Sequence, residues 1–178
     1  MKILIASDLH GSSYYAKKII EIYALENAEK IVLLGDVYNH GPRNSLPKDY
    51  QPMEVAKTLN AVKENLIVIK GNCDSAVDTM ISEFDFIEDA CLLIGKKSVF
   101  LTHGHVYNID NQPKTRYSAI IYGHFHTGFI ERKNNVIVAN TGSLSLPKNH
   151  TPNSYIIIDE QTIVLKDLDG NIIKAEKY

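Results

Sequence analysis

Tryptophan is absent from this chain, cysteine occurs twice and methionine three times. Two cysteines, Cys73 and Cys91, make no disulfide framework, so a reduced, cytoplasmic protein held by its own core is expected. No apolar run approaches the roughly 20 residues that cross a bilayer, which argues against a membrane partner. Charge of one sign is also lacking: 19 Lys and Arg against 21 Asp and Glu leave −2. That balance provides no field for a polyanion and disfavours a nucleic-acid partner. A secretory leader is not expected either, because Met1–Ala6 enters a strand pattern at once and Asp8 interrupts it. Repeats, low-complexity tracts and linkers are missing. What remains is a chain of 178 residues, 44% hydrophobic and 22% charged, expected to fold as one domain over 1–178 with a core of its own.

Ile3–Ala6 reads as a strand buried on both faces. Gly11-Ser12-Ser13 supplies a turn and a helix cap, and Tyr15, Ile19, Ile22 and Tyr23 follow at helical spacing. Ile31–Leu34 is a second buried strand, residues 39–52 with three prolines form a loop, and Val55, Leu59 and Val62 mark a second helix. Leu66–Ile69 is a third strand. Strand alternating with helix predicts a parallel α/β half. The second half reads as strand-rich and mostly antiparallel: 98–102, 119–122, 128–132, 136–140, 155–159, 163–166 and 172–175. Glu160-Gln161 and Asp169-Gly170 fall at hairpin turns. The halves are expected to pack as two sheets with helices outside.

Five polar patches punctuate the apolar runs: Asp8-Leu9-His10, Gly35-Asp36, Gly71-Asn72, His103-Gly104-His105 and Gly123-His124-Phe125-His126. Five of the seven histidines lie in them. Singly, each patch is an ordinary polar turn. Together they offer hard oxygen ligands and imidazoles, the donor set for divalent metals. Ligands of open α/β sheets collect at the carboxyl ends of strands, and every patch sits where a strand ends. Asp8 and His10, two apart, would share one side of an extended segment. Asp36 is placed to bridge two cations, and the Asn72 amide oxygen is a neutral hard ligand. Within a His-x-His pair, one ring can bind metal while the other contacts substrate or orients a neighbour. Asp74 reads as the cap of a following helix. Arg43 and His40, on the proline-rich loop, are candidates for one wall of a substrate pocket, as is His105.

In this order the patches resemble the calcineurin-like metallophosphoesterase superfamily, over Asp8 to Ser143. Gly71-Asn72-Cys73-Asp74 and the run Gly35–Asn44 are similar to its YfcE-type phosphodiesterase branch. The resemblance implies a four-layer α/β/β/α sandwich of two mixed sheets with the metals at its edge. It also implies two divalent cations, manganese first among them. One would take Asp8, His10, Asp36 and His126, the other Asp36, Asn72, His103 and His124. Catalytic roles are implied for Asp36, Asn72, Cys73 and His103, on a small-molecule phosphodiester attacked by a hydroxide held between the metals. A dimer or tetramer is expected by the same likeness. Two departures stand out. Cys73 replaces the superfamily's usual histidine, and a thiol of pKa about 8.5 is a poor proton donor; it is either functional or a filler. Asn140-Thr141-Gly142-Ser143 has Thr where relatives commonly have Pro, a change of loop stiffness. Alternatives are a phosphomonoesterase or nuclease on the same metals, or a non-catalytic protein-binding scaffold of the same fold. A metal store fits poorly with ligands dispersed at strand ends.

Overall fold

A computed structural model of the chain describes residues 1–178. In chain order the elements are β1 (Ile3–Ala6), α1 (Ser13–Leu25), β2 (Lys30–Leu33), α2 (Pro52–Asn60), β3 (Leu66–Ile69), β4 (Phe86–Ile87), β5 (Ala90–Ile94), β6 (Lys97–Leu101), β7 (Ala119–Tyr122), β8 (Gly128–Lys133), β9 (Val136–Thr141), β10 (Ser154–Ile158), β11 (Thr162–Asp167) and β12 (Ile172–Lys177). Short 3-10 turns cover Lys63–Asn65 and Ala76–Met80. No helix is long and apolar enough to cross a membrane.

Two mixed sheets form the centre. The first runs β12-β11-β10-β1-β2-β3-β4 and the second β5-β6-β7-β9-β8. Strand alternation gives each buried strand two apolar faces. Ile3, Ile5, Val32 and Ile156 face Val99, Ile121, Ile137 and Ala139 in a layer of 17 buried residues between the sheets. Leu4, Leu33 and Val68 point the other way, onto Ala16, Ile19 and Ile22 of α1 and Val55, Ala56 and Leu59 of α2. Each such aliphatic side chain is worth roughly 1.5–3 kcal/mol when buried, so the layer between the sheets and the 18-residue layer under the helices contribute comparably to cohesion. Ser12 caps α1 by accepting from the Tyr15 N–H at 3.3 Å, and Pro52 opens α2, where a missing N–H costs nothing.

Three expectations need correction. The two halves of the chain do not form one sheet each, although the second half pairs mostly antiparallel, as expected. β6, β7 and β9 pair parallel, while β10, β11 and β12 cross back and extend the first sheet antiparallel from β1. All five residues of β10 are buried, which suits an interior strand between β1 and β11. The outer layer over the second sheet is not helical: residues 102–118 have no regular structure, and Tyr107, Ile109 and Tyr117 cover Phe100, Ile120, Tyr122 and Val138. Asn108 Oδ1 accepts from the N–H groups of Asp110 (2.9 Å) and Asn111 (3.1 Å), a local turn that competes with a helix. Finally, α2 stops at Asn60, leaving Val62 beyond it, and β4 and β5 fall outside the predicted strands.

Glu26, at the C-terminus of α1, ties the helix to the sheet. Its carboxylate accepts from Tyr155 Oη at 2.8 Å and Lys166 Nζ at 2.7 Å. Burial would raise this carboxyl, but those two bonds and the lysine charge pull it below its ordinary value. A lowered folded-state pKa contributes stability above the unfolded value and loses it as pH falls through the folded one. Glu26→Gln should therefore cost about 1 kcal/mol at pH 7, and the gap to the parent protein should close below about pH 4; Tm profiles from pH 3 to 8 measure both.

Candidate metal centre

β1, β2 and β3 run parallel, as do β6, β7 and β9. Their carboxyl ends therefore open on one edge of the sandwich, and each is followed by one of the polar patches or by Gly142-Ser143. Loop-to-loop bonds lock these ends together. The Asp8 N–H donates to the Gly35 carbonyl (3.1 Å), His10 N–H to that of Asp36 (2.8 Å), and Gly123 N–H to that of His103 (2.8 Å). Across the two sheets, the His124 N–H donates to Asp8 Oδ2 at 3.0 Å.

The backbone at this edge is left-handed. Asp8, His10, Asp36, His124 and His126 have φ between 50° and 63°, a region that is sparsely populated outside glycine and costs of order 1–3 kcal/mol per residue. Asp8 and His10 thus converge through turns, not through the strand alternation expected for them. Gly35 is required here: its φ is +93°, and a Cβ would collide with the Gly71 backbone and come within 2.9 Å of His103 Nδ1.

Seven predicted ligands come together, in two overlapping groups. In the first, Asp8 Oδ1 lies 3.2 Å from His126 Nε2 and 3.6 Å from His10 Nε2. The two Nε2 atoms are 3.1 Å apart, and Asp36 Oδ2 is 3.8 Å from that of His10. The tautomers follow from the other side of each ring. His10 Nδ1 faces the Asn39 carbonyl at 2.7 Å and His126 Nδ1 that of Leu146 at 2.7 Å. A carbonyl only accepts, so both Nδ1 atoms carry the proton and both Nε2 lone pairs point at each other. Asp8 Oδ1 is buried with no hydrogen-bond partner. A cation at their meeting point is the species that satisfies three buried acceptors at once.

In the second group, His103 Nδ1 donates to the Leu34 carbonyl at 2.6 Å, again leaving Nε2 as acceptor. Around it stand Asn72 Oδ1 at 3.0 Å, His124 Nδ1 at 3.2 Å and Asp36 Oδ1 at 3.5 Å. Asp36 reaches both groups through different oxygens. The donor set of carboxylate, imidazole and amide oxygen fits a pair of divalent ions. Burial lowers the pKa of His10, and it pushes His124, with help from His103, down to about 4. Both rings are thus neutral and ready to ligate at pH 7. Burial would raise Asp8, but the His126 contact and the fields of the surrounding imidazoles hold it below the ordinary carboxylate range.

The remaining predicted residues are placed less uniformly. A cavity of about 810 Å³ opens over the ligands, and Cys73 and Arg43 line it. The Cys73 N–H donates to Asp36 Oδ1 at 2.8 Å. Burial, then the charge of Asp36, pushes its thiol up to about 12. His40 turns from the cavity and packs edge-on against Tyr50, with ring centroids 5.3 Å apart. His105 is exposed, its ring 5.3 Å from that of His103.

Several residues escaped sequence reasoning. Asp74 is not a helix cap; Ser75 takes that position. Its buried carboxylate accepts from the N–H groups of Gly71 (2.7 Å), Asp36 (2.8 Å) and Val37 (2.8 Å), clasping the β2 and β3 loops. Ser143 and Ser145 Oγ both donate to the Asp8 carbonyl at 2.9 Å. Asn140 donates to the Gly123 carbonyl at 2.6 Å. The signals were slight: Asp74 lies two residues past Asn72, and Asn140 and Ser143 belong to the Asn140–Ser143 run already set beside the family's pattern. Phe125 and Lys148 also line the cavity.

Comparison with known proteins agrees with this geometry. The family model of the calcineurin-like phosphoesterase superfamily domain matches residues 1–162. Phosphodiesterase YfcE of Escherichia coli K12 is 39% identical over 178 residues, spanning 99% of this chain and 97% of that protein. The solved structure of the E. coli phosphoesterase YfcE superposes with a TM-score of 0.96 at 38% identity, covering 99% of each chain. Vps29 of Cryptosporidium parvum shares the fold alone, with a TM-score of 0.70 at 21% identity over 99% of this chain and 97% of its own. With the whole motif series in place and both sheets matched, the chain belongs to the calcineurin-like phosphoesterase superfamily.

Proposed function

We propose that the protein is a metal-dependent phosphodiesterase acting on small diesters. The observation that carries this reading is the convergence of buried acceptors, Asp8 Oδ1 and the Nε2 atoms of His10, His126 and His103, at the base of one polar cavity. Asp8, His10, Asp36 and His126 would hold one divalent ion, and Asp36, Asn72, His103 and His124 the other. Manganese is the first ion to test. When bound, such a pair supplies Lewis acidity and lowers the pKa of a coordinated water. The chain's own part is positional. Carbonyl partners fix the His10, His103 and His126 rings, and Asp74, Ser143 and Ser145 fix the loops that carry Asp36 and Asp8.

Leaving-group chemistry falls to Cys73, the polar group beside Asp36 that stands where the superfamily pattern usually has histidine. A neutral thiol, with an ordinary pKa of about 8.5, hands over a proton less readily than an imidazolium. Diesters with acidic leaving groups, such as aryl phosphodiesters, are therefore the preferred substrates in this reading. A purely structural, protein-binding role would give the neutral, pre-oriented imidazoles nothing to do.

Hydrolysis of bis(4-nitrophenyl) phosphate, with and without Mn²⁺, together with elemental analysis, tests the reading; an inert, metal-free protein under manganese saturation would sink it. Asp36→Ala should lower metal content and reduce turnover more than about a hundredfold, since even outer-sphere changes cost 10–100-fold. Aryl diesters should outpace alkyl diesters, and Cys73→His should narrow that gap; equal rates on both in the parent protein count against a missing proton donor. Asp74→Ala strands three buried N–H groups and should cost about 3 kcal/mol by urea denaturation while weakening metal affinity. An unchanged denaturation midpoint would deny it the clasping role.

A further inference from the structure

Two cationic side chains of the cavity wall lack any protein partner. Arg43 comes from the irregular segment between β2 and α2, and Lys148 from the segment between β9 and β10; both are exposed and both line the cavity. The lysine and arginine ion pairs of this chain lie elsewhere, at Lys2, Lys18, Lys63, Lys70, Arg132 and Lys166. Each free cation is nonetheless rooted beside the metal ligands. The Lys148 N–H donates to the His126 carbonyl at 2.9 Å, and its carbonyl accepts from the Thr151 N–H at 3.0 Å and Oγ1 at 2.8 Å. On the Arg43 side, Asn39 accepts from His10 through its carbonyl and from the Gly41 N–H through Oδ1 at 2.8 Å. Asn44 in turn donates to the His40 carbonyl at 2.8 Å. Phe125 offers the third feature: it is 38% exposed, lines the same cavity, and is braced edge-on by Tyr122 with ring centroids 5.7 Å apart.

A phosphodiester carries a single negative charge. Two divalent ions set on the carboxylates of Asp8 and Asp36, with the attacking hydroxide, would already balance that charge. Arg43 and Lys148 are surplus for such a substrate, and unpaired cations in a ligand cavity are suited to a second anion. The planar fork of Arg43 matches phosphate oxygens two at a time, and Lys148 adds a point charge. The exposed Phe125 ring offers a face for stacking.

Resting on the phosphodiesterase reading above, we infer that the preferred substrate is a phosphodiester whose aromatic-bearing arm carries a second phosphate. Arg43 and Lys148 bind that phosphate while Phe125 supports the ring. The reaction remains hydrolysis: the water oxygen joins the diester phosphorus, one P–O ester bond breaks, and the proton ends on the departing oxygen or in solvent. The second phosphate is bound, not cleaved.

Calorimetric titration of the manganese-loaded protein with adenosine 3′,5′-bisphosphate and adenosine 5′-monophosphate tests this, beside turnover of bis(4-nitrophenyl) phosphate. The bisphosphate should bind about tenfold more tightly or better, as expected for an added charge-assisted contact. The double change Arg43→Gln with Lys148→Gln should shrink that advantage to about twofold. Phe125→Ala should weaken both nucleotides and leave their ratio alone. Turnover of the aryl diester without a bisphosphate advantage, or with an advantage that survives the double change, overturns the inference and leaves the phosphodiesterase reading intact. An advantage lost in the double variant, in a protein that turns over no diester, keeps the anion site and removes the phosphodiesterase reading instead.

Discussion

Buried lone pairs that face one another are the constraint on which this molecule depends. His10 and His126 spend their ring protons on the Asn39 and Leu146 carbonyls, so their Nε2 atoms meet 3.1 Å apart with nothing between them to share. Asp8 Oδ1 joins them without a donor. In a protein interior such an arrangement is costly unless a positive charge occupies the meeting point. Neighbouring features serve to hold that unfavourable arrangement in place. The histidine tautomers are set from behind, the Asp8 carbonyl is held by two serine hydroxyls, and the Asp36 loop is clasped by Asp74.

The two sheets provide the rigidity that makes this possible. Parallel strands present their carboxyl ends on one side, and here two parallel sets, one from each sheet, end at the same edge. Five of the predicted ligand residues adopt left-handed backbone there. Such conformations persist only where the surroundings over-determine them, and the layer of 17 buried residues between the sheets provides that restraint. Stability is thus concentrated behind the site, and strain within it. The same division explains why the outer layer over the second sheet can be irregular. Residues 102–118 need only cover four buried side chains, while the work of positioning His103 is done by β6 and the Leu34 carbonyl.

The cavity above the ligands differs from an apolar drug-like pocket. Its wall carries Arg43, Lys148 and several amides, with Phe125 its one large apolar side chain. Selectivity among phosphate esters should therefore come from charge and from one aromatic face rather than from shape in an apolar slot. Cys73 sits at the junction of these two regions, its N–H on Asp36 and its side chain on the cavity.

Much of this was legible in one dimension. β1, β2, β3 and β7 are short apolar runs, and each ends at a polar patch because a strand that leaves a covered sheet must meet water. The seven residues that converge were all readable as candidate donors from those patches, since donor capacity is a matter of side-chain chemistry, while the choice of His103 over His105 came from the family resemblance. What strand partners what was not readable: nothing local distinguishes β10, which crosses to the first sheet, from β9, which stays in the second. β4 has two residues, too few for a period. Asp74 looked like a cap because a carboxylate past a turn commonly is one; only the fold brings three N–H groups from two loops to it. Lys148 lies 76 residues beyond Asn72 along the chain, and only the tertiary structure sets both on one cavity. The sequence by itself determined which atoms are able to bind a cation, through their chemistry. Tertiary structure alone decided that their lone pairs point inward at one another, because tautomer and ring direction depend on carbonyl groups that other parts of the chain supply.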